Sequence, residues 1–408
     1  MSTAFARRRH TVLDVDPVRN PYAPGAGQRP PELAGRDTEL SAFDVVLERI
    51  AHGRPERSLV LTGLRGVGKT VLLNQLRSAA IGSGWGTGKI EARPDQSLRR
   101  PVSSALHMAL RELRHPDQES MDAVLGVLKA FALRQAPDTK VRDRWQPGID
   151  VPAAMGRADS GDMEIDLVEL LSDAAGLAAD VGKGIALFID EMQDVQPDDV
   201  SAICAACHEL SQQGAPLIVV GAGLPHLPAV LSASKSYSER LFRYLRIDRL
   251  DRSAADQALI APAEREDVTF EPAALDALYA AADGYPYFVQ AYGKVTWDVA
   301  AASPITADDV AMAAPVAEAE LAVGFFGSRY DRATPAEREY MHAMAELGGP
   351  QGNAVATSEV AVSLGRKPAS LSPARDSLIK KGLVYSAERG QIAFTVPHFG
   401  RYLLSHPD

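Results

Sequence analysis

Eight consecutive residues carry the clearest chemistry in this chain: Gly63-Leu64-Arg65-Gly66-Val67-Gly68-Lys69-Thr70, with Val71 opening a helical run behind them. They match G-x-x-x-x-G-K-[ST] in full and follow directly on an apolar stretch. Glycines let the backbone turn tightly, so that successive N–H groups converge on phosphate oxygens at the positive end of a helix. In such a loop Lys69 reaches the β- and γ-phosphates of a nucleoside triphosphate and the Thr70 hydroxyl binds Mg²⁺. A second cluster, Asp190-Glu191, ends the apolar run Ile185-Ala186-Leu187-Phe188-Ile189. A buried strand that delivers two carboxylates at its C-terminal edge places Asp190 in the Mg²⁺ shell and Glu191 where it can polarise an attacking water. The two clusters together predict a nucleoside-triphosphate site.

Such residues need a parallel sheet to hold them. Short apolar runs at 59–62, 89–92, 185–189, 217–220 and 244–247 alternate with longer helical stretches. This pattern predicts an α/β fold with a doubly wound, mainly parallel sheet covered by helices on both faces. Asp37 reads as the N-cap of a first helix whose apolar stripe is Leu40, Phe43, Leu47 and Ile50, with Gly53 as its stop. Between 92 and 184 the pattern gives two helices and then a loop over 136–161 rich in Pro, Gly and Asp. Residues 1–34, with Pro17, Pro21, Pro24, Pro30 and Pro31, read as an extended lead-in on the surface. The α/β domain is expected over 35–251 and an Ala-rich helical domain over 252–328. Over 329–408, helices at 334–346, 358–364 and 370–381 precede strands at 383–386 and 391–396 around Glu388-Arg389-Gly390, the order of a winged helix.

Composition narrows the field. The chain has 408 residues, enough for two or three domains, and 46% hydrophobic against 24% charged residues argues against large-scale disorder. Its 43 basic and 53 acidic residues give a net charge of −10, so any nucleic-acid contact must come from a local patch. Two cysteines exclude a disulfide scaffold and fit a reducing compartment. No apolar run appears long enough to span a bilayer, and Arg7, Arg8 and Arg9 lead into His10 and Asp14 rather than an apolar core. The sequence therefore reads as soluble and cytoplasmic, with no membrane partner.

Several motifs taken together resemble a family. Gly35-Arg36-Asp37 before a helix, the phosphate loop, Phe188-Ile189-Asp190-Glu191-Met192-Gln193-Asp194, and Gly284-Tyr285-Pro286 in a following helical lid look like an AAA+ ATPase. The likeness spans roughly 31–326 and is nearest to the initiator/origin-recognition branch and the related STAND-type ATPases, where a C-terminal winged helix is common. The resemblance implies a five-stranded sheet in the order 5-1-4-3-2, ATP as the nucleotide, an adenine contact near Arg36, and a lid contribution at Pro286. It also implies a homo-oligomer in which Arg240, within Ser238-Glu239-Arg240-Leu241-Phe242, acts as an arginine finger on a neighbour's γ-phosphate; the alternative is ordinary surface pairing of Arg240 and Arg243 with Glu239, Asp248 and Asp251. Two departures predict slow hydrolysis. Leu217-Ile218-Val219-Val220 runs into Gly221-Ala222-Gly223 without a polar sensor, and Tyr287 stands where the lid often offers an arginine.

Two other signals need weighing. Cys204-Ala205-Ala206-Cys207-His208 matches a haem-attachment pattern, but it falls in the helix expected after the Asp-Glu strand, where two small thiols pack. In the C-terminal domain Arg366, Lys367, Arg375, Lys380, Lys381 and Arg389 outnumber Glu359, Asp376 and Glu388, a local excess that suits duplex DNA. The segment Ser370-Leu371-Ser372-Pro373-Ala374 offers few side chains able to read base edges, so docking to a protein is open too. The leading expectation is an ATP-dependent switch with slow hydrolysis. A non-hydrolysing ATP- or ADP-gated scaffold and a nucleotide-sensing transcription regulator are the alternatives.

Overall fold

A computed structural model describes residues 15–25, 27–134, 148–350 and 352–406. Arg7–Arg9 and the first half of the 136–161 loop lie outside the described residues. The chain divides into two compact units, one of Arg36–Ile247 with Glu339–Pro407 and the other of the segment through Gly35 with Asp248–Arg338.

In the first unit five strands form one sheet: β1 (Ser58–Thr62), β2 (Gly86–Glu91), β3 (Ile185–Asp190), β4 (Leu217–Gly223) and β5 (Phe242–Arg246), in the order β2-β3-β4-β1-β5. Every pair is parallel, so this is the 5-1-4-3-2 order, read from the other edge. Parallel pairing forces each connection to cross over the sheet, and the crossovers cover both faces. On one face lie α1 (Asp37–Ala51), whose Phe43 meets Phe188 edge-on with ring centroids 6.3 Å apart, and α2 (Lys69–Gly82). The other face carries α3 (Arg99–Leu113), α5 (Met163–Asp180) and α6 (Pro197–Gln213), with α4 (Gln118–Leu133) packed on α3 and α5. Short α7 (Leu227–Ser234) and α8 (Ser238–Leu241) lead from β4 into β5.

Several expectations are corrected. β2 begins at Gly86, three residues ahead of its apolar signature, because Gly86 and Gly88 lie against α3; a Cβ there would sit 2.5 Å from the Ala109 carbonyl and 2.8 Å from that of Ala105. Asp37 is the first residue of α1 rather than its cap; the capping position is Arg36, and Asp37 and Glu39 instead place negative charge in the first turn. The stretch between β2 and β3 holds three helices, not two. The described part of the long loop is packed: Lys129 Nζ donates to the carbonyls of Ile149 and Val151 at 2.9 and 2.8 Å, and Ile149 and Ala158 are buried. Its anchor is Asp166, fully buried, which accepts from Ser160 N and Oγ, Gly161 N and Arg99 Nη2 at 2.8, 2.6, 3.2 and 2.9 Å.

The second unit is a helical bundle of α9 (Arg252–Glu264), α10 (Pro272–Ala282), α11 (Pro286–Val299) and α12 (Ala307–Leu321), continued by a π turn (Ala322–Gly327) and α13 (Ser328–Tyr330). The lead-in is not a surface strap. Val15 and Tyr22 are buried, the Tyr22 hydroxyl donates to the Leu259 carbonyl at 2.6 Å, and Trp297 Nε1 donates to the Asp16 carbonyl at 2.9 Å. The helical stretch Ala307–Tyr330 is long and apolar enough to cross a membrane by length and composition, which corrects the reading of the apolar runs. It carries Glu318 and Glu320 and packs against α10 and α11 within the bundle.

The chain ends in α14 (Pro335–Gly348), β6 (Val355–Ala356), α15 (Thr357–Ser363), α16 (Pro368–Lys380), β7 (Val384–Tyr385), β8 (Gln391–Phe394) and α17 (Phe399–Ser405), with the strands in the antiparallel order β6-β8-β7. β6 and α17 had no counterpart in the sequence reading; a two-residue strand and a seven-residue helix are too short to show periodicity.

Burial alone would raise the Asp166 carboxyl, but its bonds from Ser160 and Arg99 hold it below the usual range. Removing a partner from a buried pair costs about 3–5 kcal/mol. Asp166→Ala should lose stability of that order in urea unfolding at pH 7. Because the folded pKa is depressed, the wild-type advantage should persist above about pH 4 and fade as the pH falls through the folded value.

Candidate nucleotide site

The phosphate loop hangs from the end of β1. Gly63 N donates to the Gly223 carbonyl at 3.2 Å and Ile247 N to the Thr62 carbonyl at 2.7 Å, so β4 and β5 grip the loop's root from either side. Gly63 itself leaves no room for a side chain, since a Cβ would fall 2.2 Å from the Ile247 carbonyl oxygen. Gly68, at φ +90°, caps α2 in a left-handed conformation and hands the chain to Lys69, Thr70 and Val71. Leu72 N then bonds the Gly68 carbonyl at 2.9 Å, the first turn of a helix aimed at the loop. Arg36 is buried and its Nη2 donates to the Val67 carbonyl at 3.3 Å, so it braces the loop's backbone.

Lys69 is buried, with Nζ donating to the carbonyls of Gly63 and Leu64 at 2.9 and 2.7 Å. Burial pushes its ammonium down to about 8, against the pull of Glu191 and Asp190. Asp190, at the end of β3, takes a hydrogen bond from the Thr70 hydroxyl; burial raises its carboxyl, and the neighbouring Glu191 charge adds to the rise. One hydroxyl and one carboxylate side by side suit Mg²⁺, which keeps most of its shell for water and substrate phosphates. No group of three or more His, Cys, Asp or Glu able to cage a metal occurs among the described residues.

Glu191 is set apart by its backbone, a non-glycine residue at φ +49°. Its Oε1 accepts from Arg65 Nη1 at 3.1 Å and its Oε2 from Gln193 Nε2 at 2.7 Å. Gln193 also accepts from Leu224 N at 3.1 Å, tying the Asp-Glu strand to the end of β4. Gln193 lies inside the Asp-Glu motif, where the residue pattern assigns it no role; the fold brings it to the end of β4, which lacks a polar sensor. Arg65, expected among the nucleotide-binding residues, also engages Glu191 through its side chain.

The remaining candidates lie elsewhere. Arg240 sits in α8 just before β5, at the opposite ends of the strands from the loop, beside Arg54, Arg57 and Ser58. That placement removes it from its own chain's phosphates. Pro286 opens α11 in the other unit, where Tyr287 stacks on Phe325 at 4.6 Å. Cys204 and Cys207 are both buried in α6, and burial raises their thiols to about 11 and 12. They are core residues of a packed helix.

A parallel 5-1-4-3-2 sheet with a phosphate loop after β1 and an acidic pair after β3 defines a P-loop ATPase domain. Residues 32–220 match the AAA ATPase domain family. Residues 323–403 match a domain of unknown function, DUF8462. The fold is shared with a Walker-type ATPase of Pyrococcus abyssi at 14% identity, over 92% of this chain and 97% of that one, with a TM-score of 0.55. Fainter likenesses are the RuvB Holliday junction branch migration motor of Thermotoga maritima (18% identity, 90% and 96% covered, TM-score 0.44) and Cdc6p of Pyrobaculum aerophilum (14%, 97% and 97%, 0.43). No curated protein matches the sequence.

The Lys69 geometry sets a pH dependence. A bound polyphosphate favours the ammonium, so the bound-state pKa lies above the free value of about 8 and binding takes up a proton once the free lysine is neutral. ATP affinity should fall about tenfold between pH 7 and pH 9 on this linkage. Calorimetry in buffers of different ionisation heat should count the proton, and affinity that is flat with pH would exclude Lys69 from the phosphate contact.

Proposed function

We propose that this protein is an ATP-dependent switch that hydrolyses ATP slowly to ADP and phosphate and passes its nucleotide state to a C-terminal winged-helix domain. The observation that carries the reading is the double engagement of Glu191, whose two carboxylate oxygens are held by Arg65 and Gln193. A general base has to meet the attacking water within about 2.6–3.2 Å, directly or through one water. A carboxylate already answering two donors meets that water less often, which supports slow turnover.

In this reading the amides from Gly63 to Thr70 cradle the phosphates and Lys69 charges against the β- and γ-phosphates. Thr70 and Asp190 hold the Mg²⁺ that neutralises developing charge. Arg240 serves a neighbouring copy, so turnover depends on assembly. As output, Arg366, Lys367, Arg375, Lys380, Lys381 and Arg389 favour duplex DNA by charge. One observation favours a protein partner instead: Arg366 pairs with Glu339 and Arg375 with Asp376, each at 2.9 Å, which spends part of the basic excess.

The test is steady-state ATP turnover across protein concentration, with and without duplex DNA. Turnover should rise with concentration, and Glu191→Gln should lower it by about 10²–10⁴-fold. Arg240→Ala should flatten the concentration dependence while sparing ATP binding. Tight ATP binding with no turnover would replace the slow ATPase by a non-hydrolysing scaffold. DNA binding that is absent at low salt with any nucleotide would leave a protein as the partner.

A further inference from the structure

The C-terminal domain belongs to the same compact unit as the phosphate loop, and it touches that loop at Arg65. Arg65 N donates to the Thr395 carbonyl at 2.8 Å. The Arg65 guanidinium lies against Gly382, where a Cβ would stand 2.8 Å from Nη2, and from there it reaches Glu191. Thr395 is fully buried, and its hydroxyl donates to the carbonyls of Gly382 and Leu383 at 2.7 and 3.2 Å, so one side chain fixes both halves of this contact. A second contact, independent of Arg65, stacks Tyr385 of β7 on His226 at 6.1 Å, just beyond the end of β4.

The geometry points to Arg65 as the positioning residue through which the docked C-terminal domain restrains Glu191, an inference that rests on the function proposed above. Docking fixes Arg65 at both ends. Its backbone is held by Thr395, and Gly382 gives the guanidinium a floor without a side chain, so that the fork stays on the carboxylate. Arg65 and Glu191 are each about 29% exposed, wet enough that the pair lasts only while its geometry is imposed. Glu191 becomes available to water when Arg65 leaves it. Gly382 has φ +64°, so a side chain there strains the backbone as well as crowding Arg65.

The test uses the full-length chain as wild type, Arg65→Gln, Tyr385→Ala, the double variant and Glu191→Gln. Arg65→Gln should raise kcat about tenfold while KM for ATP moves less than about threefold, since the backbone amide survives. Tyr385→Ala, which loosens docking without touching Arg65, should raise kcat similarly, and the double variant should gain no more than either alone. A lower kcat in Arg65→Gln, or gains that multiply in the double variant, would overturn the restraint. Hydrogen–deuterium exchange gives a readout apart from turnover. Amides across 383–396 should exchange at least about threefold faster in Arg65→Gln than in wild type, and unchanged exchange removes the latch. A wild type that binds no mant-ATP, or a Glu191→Gln chain that turns over like wild type, overturns the underlying function instead, and the exchange result still decides the contact.

Discussion

All five strands run the same way, so their carboxyl ends share one edge, and the phosphate loop, Asp190, Glu191 and the Gln193 bridge are all hung from it. Strand β1 is hydrogen-bonded on both sides, to β4 and to β5. The root of the loop is therefore fixed by two neighbours that cannot shift without breaking a ladder. What hangs from that edge is soft by comparison: a glycine-rich turn, a residue in the left-handed region and side chains that answer to more than one partner. Rigidity in the sheet is what allows the edge to be adjustable.

Opposite charges meet at that edge. Lys69 and Arg65 lie near Asp190, Glu191 and Asp194, and burial makes each charge more costly to leave unmatched. Burial, with the Glu191 charge behind it, raises the Asp194 carboxyl, and the same pressure lowers the Lys69 ammonium. Phosphates and a divalent cation would enter as a second matched set, one recruiting the lysine and the other the carboxylate.

Much of this was legible in the residues because it is local. Eight contiguous residues specify the phosphate loop, and five apolar residues followed by Asp190-Glu191 specify β3 and its task. The strand count and parallel class followed from spacing; the strand order came from the family likeness. Failures have physical reasons. Gly86 and Gly88 carry no apolar signal, yet they are in the strand because α3 presses its backbone there. The lead-in looks like a coil by its prolines, and only the bonds of Tyr22 to Leu259 and Trp297 to Asp16, across 237 and 281 residues, draw it into the bundle. Arg65 could not be linked to Glu191 or Thr395 in advance, since 126 residues separate the first pair and the second joins opposite ends of the unit. Periodicity reports a residue's own element and says nothing of which distant loop it will meet.

The two thiols of α6 have a practical consequence. Cys204 is wholly inaccessible and Cys207 nearly so, the chain has no other cysteine, and burial keeps both in the unreactive protonated form. A thiol reagent added to the native protein can therefore act only when α6 lifts from the sheet. The rate of labelling becomes an intrinsic clock for opening of the α/β core, with no probe to introduce. A cysteine placed anywhere on the surface would carry a fluorophore against an almost silent background.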